Sequence, residues 1–545
     1  MWQAIAPYIP SWQAFAQAAI AGIVPFVLSK IMSITMKDEN DQGNRKAETA
    51  YEGFVGHFEE DLNKVKEDIG QMEDVNIRLF QLGYTTQRAA LVFVGGISDR
   101  DFIDKHLLKS LMGELRPPSE GEAVASPDYM YTKEYLIEHI LPVGSMKENR
   151  IVNDCTYDVL KGDTALFIEG HIGAIMFNTR KVKVRGVDEP PSEVLVRGPR
   201  LGFNECLVDN MTLLRQQGEN KKLTFIHRRV GTRVQREMVL AYIEDIADKQ
   251  LVTDVLDRIS KIDIDDVPDS SYIEQLIEDN YLSPFPQLQS TERLDRTFCA
   301  LMEGRVAIFL EGSPYAALAP ATFTMLLQSP EDYYERWMAG TLVRCLRYFA
   351  AFVSNFGPSL YISLISFHQG LIPTKLALSI AGTRVGVPFP AIIEVLIMEV
   401  ALEILREAGL RLPKPIGQTV GIVGGLVIGD AAVRAGIVSP FTVIVVAVTA
   451  ISSFAIPQYS AGISLRILRF IAIFFASILG LYGVVLFFLV LCSHLVKLKS
   501  FGVPYMSPAV PYRLSDWKDF ILRAPLRLMK KRPKMLDTRN PTRKE

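Results

Sequence analysis

Four acidic residues stand inside apolar segments of this chain. Glu394, Glu399 and Glu403 lie in one segment, and Asp430 lies in the next, four residues before Arg434. A charge at bilayer depth costs about 2.5–3.5 kcal/mol on insertion scales, so these acids need water or a partner. We interpret the four acids as candidates to line an aqueous cation pathway in an oligomer.

The same acids have a second interpretation, which the sequence leaves open. Glu399 and Glu403 are four residues apart and share a helical face, whereas Glu394 lies about 140° away around that helix. Arg406 could pair with them in an amphipathic helix that lies at the membrane interface and never crosses. Asp430 could likewise pair with Arg434, because residues four apart are neighbours on a helix.

Charged residues in a turn-rich segment form a second group. Arg197, Arg200 and Glu205 belong to the sequence EPPSEVLVRGPRLGFNE at 189–205. Glycine and proline there favour turns, and the charged side chains could bind an anion or pair with each other. A solvated loop explains them equally well. We take the three residues as candidates for a coupling interface.

Aromatic residues precede the apolar region. Tyr333, Tyr334 and Trp337 suit a membrane interface, where an aromatic body meets lipid and a polar tip meets water. They are further candidates for the coupling interface.

The sequence contains none of the motifs that indicate catalysis. There is no nucleophile elbow, zinc motif, kinase motif set or phosphate-binding loop. The five cysteines are far apart without CxxC spacing, and neither His227 nor His368 has a ligand at metal spacing. We expect reduced thiols, no cofactor, no metal and no enzymatic activity.

The composition of the 545-residue chain changes near position 342 from a charged part to an apolar part. The net charge of −2 is an average over these unlike parts. A basic tail follows, with 13 Lys/Arg against 4 Asp/Glu over 497–545. Such a tail marks the cytoplasmic side of a membrane protein and can touch anionic lipid. Nucleic-acid binding is the weaker interpretation, because no aromatic pattern accompanies the charge.

We predict six regions. They are an apolar N-terminal extension that spans the membrane or lies flat on it (1–36), a charged helical linker (37–75), two α/β subdomains (76–215 and 216–337), a transmembrane bundle of four to five helices (338–496) and the basic tail (497–545).

Two segments of the polar part resemble each other. GDTALFIEG at 162–170 matches GRVAIFLEG at 304–312, and Thr156 and Thr297 begin similar helical runs upstream. The pattern predicts a helix, a strand and a glycine turn used twice, either as a duplicated lobe with a cleft or as convergence on a common unit. Between the two matching segments, the residue pattern predicts a strand over 223–227 and mainly a helix over 235–259.

The apolar part offers five candidate spans: 348–367 with a kink at Pro358, 388–405, 419–437, 441–456 and 465–494. A span needs about 20 residues, so the second and fourth are the least certain. If the soluble region and the tail share one face, the number of crossings is even. Four candidates would then cross fully, and one would be re-entrant or interfacial.

Several motifs together resemble the A subunit of the GerA-family spore germinant receptors. They are the 189–205 segment, GRVAI to GSP over 304–314, PxPQ at 284–287, TER at 291–293, REAGLRLP at 406–413, SFGVPYMSP at 500–508, RAP at 523–525 and KRP at 531–533. The resemblance covers residues 74–545 in order. The apolar extension over 1–36 is a departure that the family pattern does not require.

The resemblance implies an α/β (α+β) soluble region of two related subdomains followed by an all-α multipass transmembrane bundle. It implies a multipass protein of the bacterial spore inner membrane, with its tail on the cytoplasmic (spore core) side. The implied partners are a transporter-like B subunit, a lipoprotein C subunit and further copies of the chain. Such a complex senses nutrients, and the A subunit forms or gates an oligomeric cation channel. An accessory membrane subunit that amplifies ion or dipicolinate release without sensing nutrient is the alternative.

Overall fold

The computed structural model describes most of the chain from residue 53 onward. The described residues are 53–83, 85–115, 130–140, 146–180, 189–190, 192–218, 220–413, 425, 429–513 and 515–543. The extension predicted over 1–36 lies outside them, as does most of the candidate span over 419–437.

The first lobe is a five-stranded antiparallel sheet covered by helices on both faces. Its elements are α1 (Phe58–Ile69), β1 (Val75–Gln81), β2 (Arg88–Val94), α2 (Arg100–Phe102, continued by π-helical Ile103–Leu108 and Ser110–Glu114), α3 (Lys133–Tyr135, continued by Leu136–Ile140), β3 (Met146–Asn149), α4 (Val152–Leu160), β4 (Thr164–Ile168) and β5 (Ala174–Phe177). The strand order is β1-β2-β4-β5-β3. Helices α1 and α4 pack on one face and α2 and α3 on the other.

The second lobe repeats these elements in the same chain order. They are α5 (Leu207–Gly218), β6 (Leu223–Val230), β7 (Arg236–Ile243), α6 (Lys249–Ser260), α7 (Ser270–Ile277), β8 (Gln289–Thr291), α8 (Leu294–Glu303), β9 (Val306–Leu310) and β10 (Ala316–Ala319). The order β6-β7-β9-β10-β8 matches the first sheet strand for strand. The duplicated architecture is therefore confirmed.

Buried strands and glycine turns explain why the repeat is visible in the sequence. Strands β4 and β9 are buried at every residue, since helices cover both faces of each sheet, and so they read as continuous apolar runs. Gly162 and Gly304 precede them with φ near +100°, and Gly170 and Gly312 follow with φ near +88°. Side chains other than glycine rarely adopt these angles.

The charged helix predicted within 37–75 is part of the first lobe rather than a linker. Leu62, Val65 and Ile69 of α1 are fully buried against the sheet, while Glu59, Glu60 and Glu67 are exposed. The buried Asp61 accepts hydrogen bonds from the backbone N of Val55 (2.7 Å) and Gly56 (2.8 Å). Burying each such apolar side chain contributes about 1.5–3 kcal/mol, so one apolar stripe is enough to dock a helix of high charge density.

Two other predictions need correction. Residues 235–259 are not mainly helix: β7 occupies the first part and pairs with β6 and β9, and α6 follows. The sequence REMVLAYI is buried on both faces as a central strand, and so it lacks the alternation that marks a half-exposed strand. The predicted boundary at 215/216 falls inside α5, whose Leu207 and Leu214 pack on the second sheet.

A buried ion pair joins the lobes. Arg215 on α5 places Nη2 2.7 Å from Asp74 Oδ2, just before β1, and both side chains are almost fully buried. Its guanidinium also lies over the ring of Phe225.

The described residues of the apolar part form mainly helices. They are α9 (Phe323–Leu327), α10 (Glu331–Tyr334), α11 (Trp337–Ser366), α12 (Thr374–Thr383), α13 (Ala391–Arg411), α14 (Pro440–Phe454), α15 (Tyr459–Leu479) and α16 (Leu481–Lys497). Among the described residues, α11 and α15 are long and apolar enough to cross a membrane, and α14 and α16 are shorter apolar helices. Helix α11 continues through Pro358.

The candidate span over 465–494 is two helices rather than one. The chain turns at Gly480, whose φ of 59° and ψ of −138° are essentially restricted to glycine. Phe475 of α15 then meets Phe487 of α16 with ring centroids 5.7 Å apart. The unbroken apolar composition of this segment concealed the turn.

The basic tail folds back over the second lobe. A short hairpin of β11 (Lys499–Ser500) and β12 (Val503–Pro504) begins it. Ser500 Oγ donates to Gln287 O (2.6 Å) and accepts from Ala321 N (3.0 Å), and further along Arg539 N donates to Ile246 O (3.0 Å). The lobes and the tail therefore lie at the same end of the helices.

Candidate functional site

Glu394 lies near the start of α13 and is fully buried. Its carboxylate accepts from Arg384 Nη2 (2.9 Å), from the backbone N of Ser439 (2.8 Å) and from Thr442 Oγ1 (2.9 Å). These three donors compensate the charge, as burial of a carboxylate requires. They also fix the start of α13 against the start of α14.

Glu399 and Glu403 share one arginine on another helix. Nη2 of Arg469 in α15 lies 3.0 Å from Glu399 Oε2 and 3.0 Å from Glu403 Oε1. Glu403 also pairs with Arg466 (3.3 Å) and with Arg406 (3.6 Å), the partner that the sequence suggested. We call these five residues the α13–α15 charge cluster. The four-residue spacing brings two carboxylates to one arginine.

The charge cluster is compensated within one chain. Its three arginines and two glutamates sum to a formal charge of +1. Glu399 Oε1 and two nitrogens of Arg469, Nε and Nη1, are buried without a hydrogen-bond partner among the described residues. Both acids are therefore held by cations in this conformation. Glu399 is fully buried and can face water only if the helices rearrange, whereas the Glu403 side chain is already 30% exposed.

Asp430 lies apart from the other acids. It pairs with Arg434 at 2.8 Å, and both side chains are more than half exposed. The structure therefore brings Glu399 and Glu403 together, places Glu394 at a separate contact and leaves Asp430 in a local pair. The pore-lining role of the four remains a prediction.

The aromatic residues before α11 contact both lobe and tail. Tyr333 OH donates to Asp519 Oδ2 of the tail (2.7 Å), and Tyr334 OH donates to Asp295 of α8. Burial, together with the nearby Asp519 carboxylate, holds the pKa of Tyr333 well above its usual value. Trp337, the first residue of α11, is partly exposed at 43%.

Tyr333 belongs to an ion-pair network that sequence reasoning missed. Asp332 binds Arg344 (3.2 Å) and Arg347 (2.6 Å) of α11, and Arg344 also binds Asp519 of the tail (2.8 Å). We call Asp332, Tyr333, Arg344, Arg347 and Asp519 the junction network. The three-residue spacing of Arg344 and Arg347 could have indicated that both arginines lie on one face of α11. Nothing in the sequence near them indicates Asp519, which lies 175 residues after Arg344.

The 189–205 segment lies against α10. A Cβ on Gly198 would meet the ring of Tyr334 at 2.6 Å, and Arg197 lies 3.7 Å from Glu335. Arg200 makes an exposed pair with Glu189 (3.7 Å), and the carbonyl of Glu205 accepts from Gly312 N (2.8 Å). The two predicted coupling groups are therefore neighbours.

No described group of three or more His, Cys, Asp or Glu side chains could hold a metal ion. The contacts above are ion pairs and hydrogen bonds that join elements, and they form no arrangement of nucleophile and base. These contacts compensate buried charges and join elements that are distant in the sequence.

A family model described as Bacillus/Clostridium GerA spore germination protein matches residues 63–535. The spore germination protein GerLA of Bacillus cereus is 42% identical over 89% of this chain and 97% of its own length. Spore germination protein A1 of Bacillus subtilis is 48% identical over 70% of this chain and 79% of its own length. The crystal structure of the N-terminal domain of the A subunit of the Bacillus megaterium spore germinant receptor GerK3 aligns with 26% identity and a TM-score of 0.37, covering 50% of this chain and 98% of that one.

Proposed function

Because this chain belongs to the GerA family of spore germination proteins, we propose that it is a subunit of a nutrient-triggered germination receptor in the spore inner membrane. The family match carries this proposal, since it runs through both lobes, the apolar helices and most of the tail. We propose a transporter-like B subunit, a lipoprotein C subunit and further copies of this chain as its partners.

Contacts give the helices alternating directions, which supports a multipass arrangement. Helix α11 leaves the lobes and α16 returns to them. Gln458, between α14 and α15, donates to Ser290 O of the second lobe (2.9 Å), so α14 approaches the lobes and α15 leaves them.

Helix α13 runs parallel to α14, because Glu394 meets Ser439 at one end and Arg406 meets Ser453 at the other. The end of α13 and the start of α14 therefore lie at opposite ends of this helix pair. We propose six passes, with the lobes and the tail together on the cytoplasmic side. An even number of passes is what the sequence requires if the lobes and the tail share one side. The sixth pass arises because the fifth candidate span, 465–494, is two helices, α15 and α16.

The junction network supports a coupling mechanism. A movement of the second lobe reaches α11 through Asp332, and a movement of the tail reaches it through Asp519, because both carboxylates hold Arg344. Ligand-induced motion in the complex would shift this shared contact and thereby the first long helix.

The charge cluster supports a channel that is closed in this conformation. Glu399 and Glu403 are each bound to Arg469, so neither acid is free to attract a cation. We propose that opening separates α13 from α15 and exposes these acids to a water-filled path in the oligomer. Glu394 and Asp430 are further candidates for the lining of that path.

The test uses spores that carry the complete receptor with a substituted chain. Glu399→Gln and Glu403→Gln should change the rate of nutrient-triggered release of monovalent cations while the amount of assembled chain stays unchanged. Glu407→Gln is the matched control, because Glu407 lies on the same helix in an exposed pair with Arg411. Normal release from both variants would show that these acids do not line or gate the path.

Deletion of the chain separates the receptor from the accessory alternative. Spores without it should lose the response to the nutrient that its receptor senses. A retained nutrient response with slower dipicolinate release would instead identify an accessory subunit.

A further inference from the structure

A groove of 590 Å³ lies where the last turn of α16 meets the second lobe. Its lining residues include Arg258 of α6, Asp279 after α7, His494 and Lys497 in the last turn of α16, and Lys499 in the tail. The groove is therefore at the level where an apolar helix ends and a polar lobe begins.

Internal contacts hold the floor of the groove. Arg258 pairs with Asp279 (2.6 Å) and lies over the ring of Phe501, whose backbone N donates to Asp279 Oδ2 (2.6 Å). A ring nitrogen of His494, Nε2, lies 2.9 Å from Ser283 Oγ, which ties the 279–286 loop to α16. These contacts make the groove a fixed feature of the junction.

Two lysines at the rim of the groove lack such ion pairs and hydrogen bonds within the described residues. Lys497 and Lys499 are exposed, and neither side chain forms an ion pair or hydrogen bond within the described part of the chain. Since Arg258 and Asp279 neutralise each other, the lysines outweigh Asp254, the other acid of the groove, by one charge. The groove is thus suited to an anion.

The neighbouring loop exposes apolar side chains at the same level. Tyr281 and Leu282 are 81% and 78% exposed, in the loop that Ser283 fixes to α16. Exposed aromatic and aliphatic side chains beside lysines are typical of protein surfaces that rest on a bilayer.

We propose that this groove binds the phosphate headgroup of an anionic phospholipid, with Lys497 and Lys499 contacting the phosphate and Tyr281 and Leu282 entering the headgroup region. The proposal rests on the membrane placement of α15 and α16 given above. A lipid fits better than a soluble phosphate, because the lysines continue directly from an apolar helix and the exposed loop residues need an apolar environment. The lipid would hold the second lobe against the membrane at the end of α16.

Native mass spectrometry of the full-length chain in neutral detergent tests the proposal. The chain is titrated with phosphatidylglycerol and, in parallel, with phosphatidylcholine. We expect tighter binding of phosphatidylglycerol, weakened about 30-fold by the double substitution Lys497→Gln/Lys499→Gln, since each lysine near an anionic surface contributes about a fivefold factor.

Lys249→Gln/Lys261→Gln is the matched control. These lysines flank α6 and are exposed on the same lobe, and Lys261 lines a neighbouring groove. The control variant should bind phosphatidylglycerol as tightly as the wild type. Both double variants should also keep the wild-type thermal unfolding midpoint. Tyr281→Ser/Leu282→Ser should also weaken phosphatidylglycerol binding.

Three results would overturn the proposal. They are an unchanged affinity in Lys497→Gln/Lys499→Gln, an equal loss in the control pair, and equally strong binding of glycerol 3-phosphate without acyl chains. Because the readout is lipid binding to the isolated chain, it is independent of whether the chain conducts ions or responds to nutrient.

Discussion

Asp519 in the tail and Arg344 in α11 form an ion pair, with Asp519 Oδ1 2.8 Å from Arg344 Nη1. Arg344 is fully buried, and Asp332 of α10 binds it from the lobe side at 3.2 Å. One arginine therefore joins the lobe, the tail and the first long apolar helix. Burial raises the pKa of Asp519, while the Arg344 guanidinium and the Tyr333 hydroxyl favour its ionised form.

Asp519→Asn should loosen the tail from α11. The substitution removes one of two carboxylates on a buried arginine, and breaking a buried pair costs about 3 kcal/mol. We expect faster limited proteolysis within 499–543 and a lower unfolding midpoint for the full-length chain. Asp537→Asn is the control, since Asp537 is exposed in the same tail and asparagine tolerates its left-handed φ of 44°. Equal resistance of the two variants to proteolysis would contradict the inference that the ion pair with Arg344 holds the tail against α11.

Arg469→Met should destabilise the helices more than Glu399→Gln. Methionine would leave Glu399 without its arginine and beside Glu403, whereas glutamine leaves Arg469 paired with Glu403. The expected cost is about 3–5 kcal/mol, the usual range for stranding a buried charge. Thermal unfolding in detergent measures it, and Arg411→Met, which breaks an exposed pair on α13, should change little. Equal midpoints for Arg469→Met and Arg411→Met would disprove the compensating role of Arg469.

Gly480→Ala should disrupt the turn between α15 and α16. A Cβ there would meet Phe367 Cβ at 2.8 Å, and the backbone conformation is one that costs other residues about 1–3 kcal/mol. Gly462→Ala, within α15, is the control, because nothing lies within 4 Å of its Cβ position. Helical propensity favours alanine there by about 1 kcal/mol. Chain levels in membranes and the unfolding midpoint should fall in the first variant only.

The second lobe should lose stability as the pH rises towards neutral. Burial, assisted by Glu278 and Asp269 and partly offset by the Ser290 hydroxyl, raises the pKa of Glu274 from 4.5 to about 7. The folded state therefore keeps a proton that the unfolded chain releases, and the stabilisation is complete below pH 4.5 and lost as the pH rises through 7.

Glu274→Gln should remove this contribution to the pH dependence. Unfolding midpoints of the full-length chain between pH 5 and 8 measure it. Glu237→Gln, an exposed carboxyl in the same lobe, should retain the wild-type dependence. A parallel pH profile for Glu274→Gln and the wild type would rule out Glu274 as the titrating group.

Local pattern was sufficient where the interaction is local. The matched glycines around β4 and β9, the helical spacing of Glu399 and Glu403, and the i,i+4 pair of Asp430 with Arg434 could all be recognised from residue type and separation. The strand β7 was mistaken for helix because its burial on both faces removes the alternation that identifies strands. The turn at Gly480 was missed because one glycine in an apolar run carries no composition signal.

The sequence by itself determined the two kinds of region, the duplicated lobe and the family, because composition, periodicity and motif order are properties of neighbouring residues. Only the tertiary structure decided which charges meet. Arg469 with Glu399, and Arg344 with Asp519, join residues 70 and 175 positions apart. Such pairs depend on how whole helices pack, and an arginine carries no local mark of its distant carboxylate.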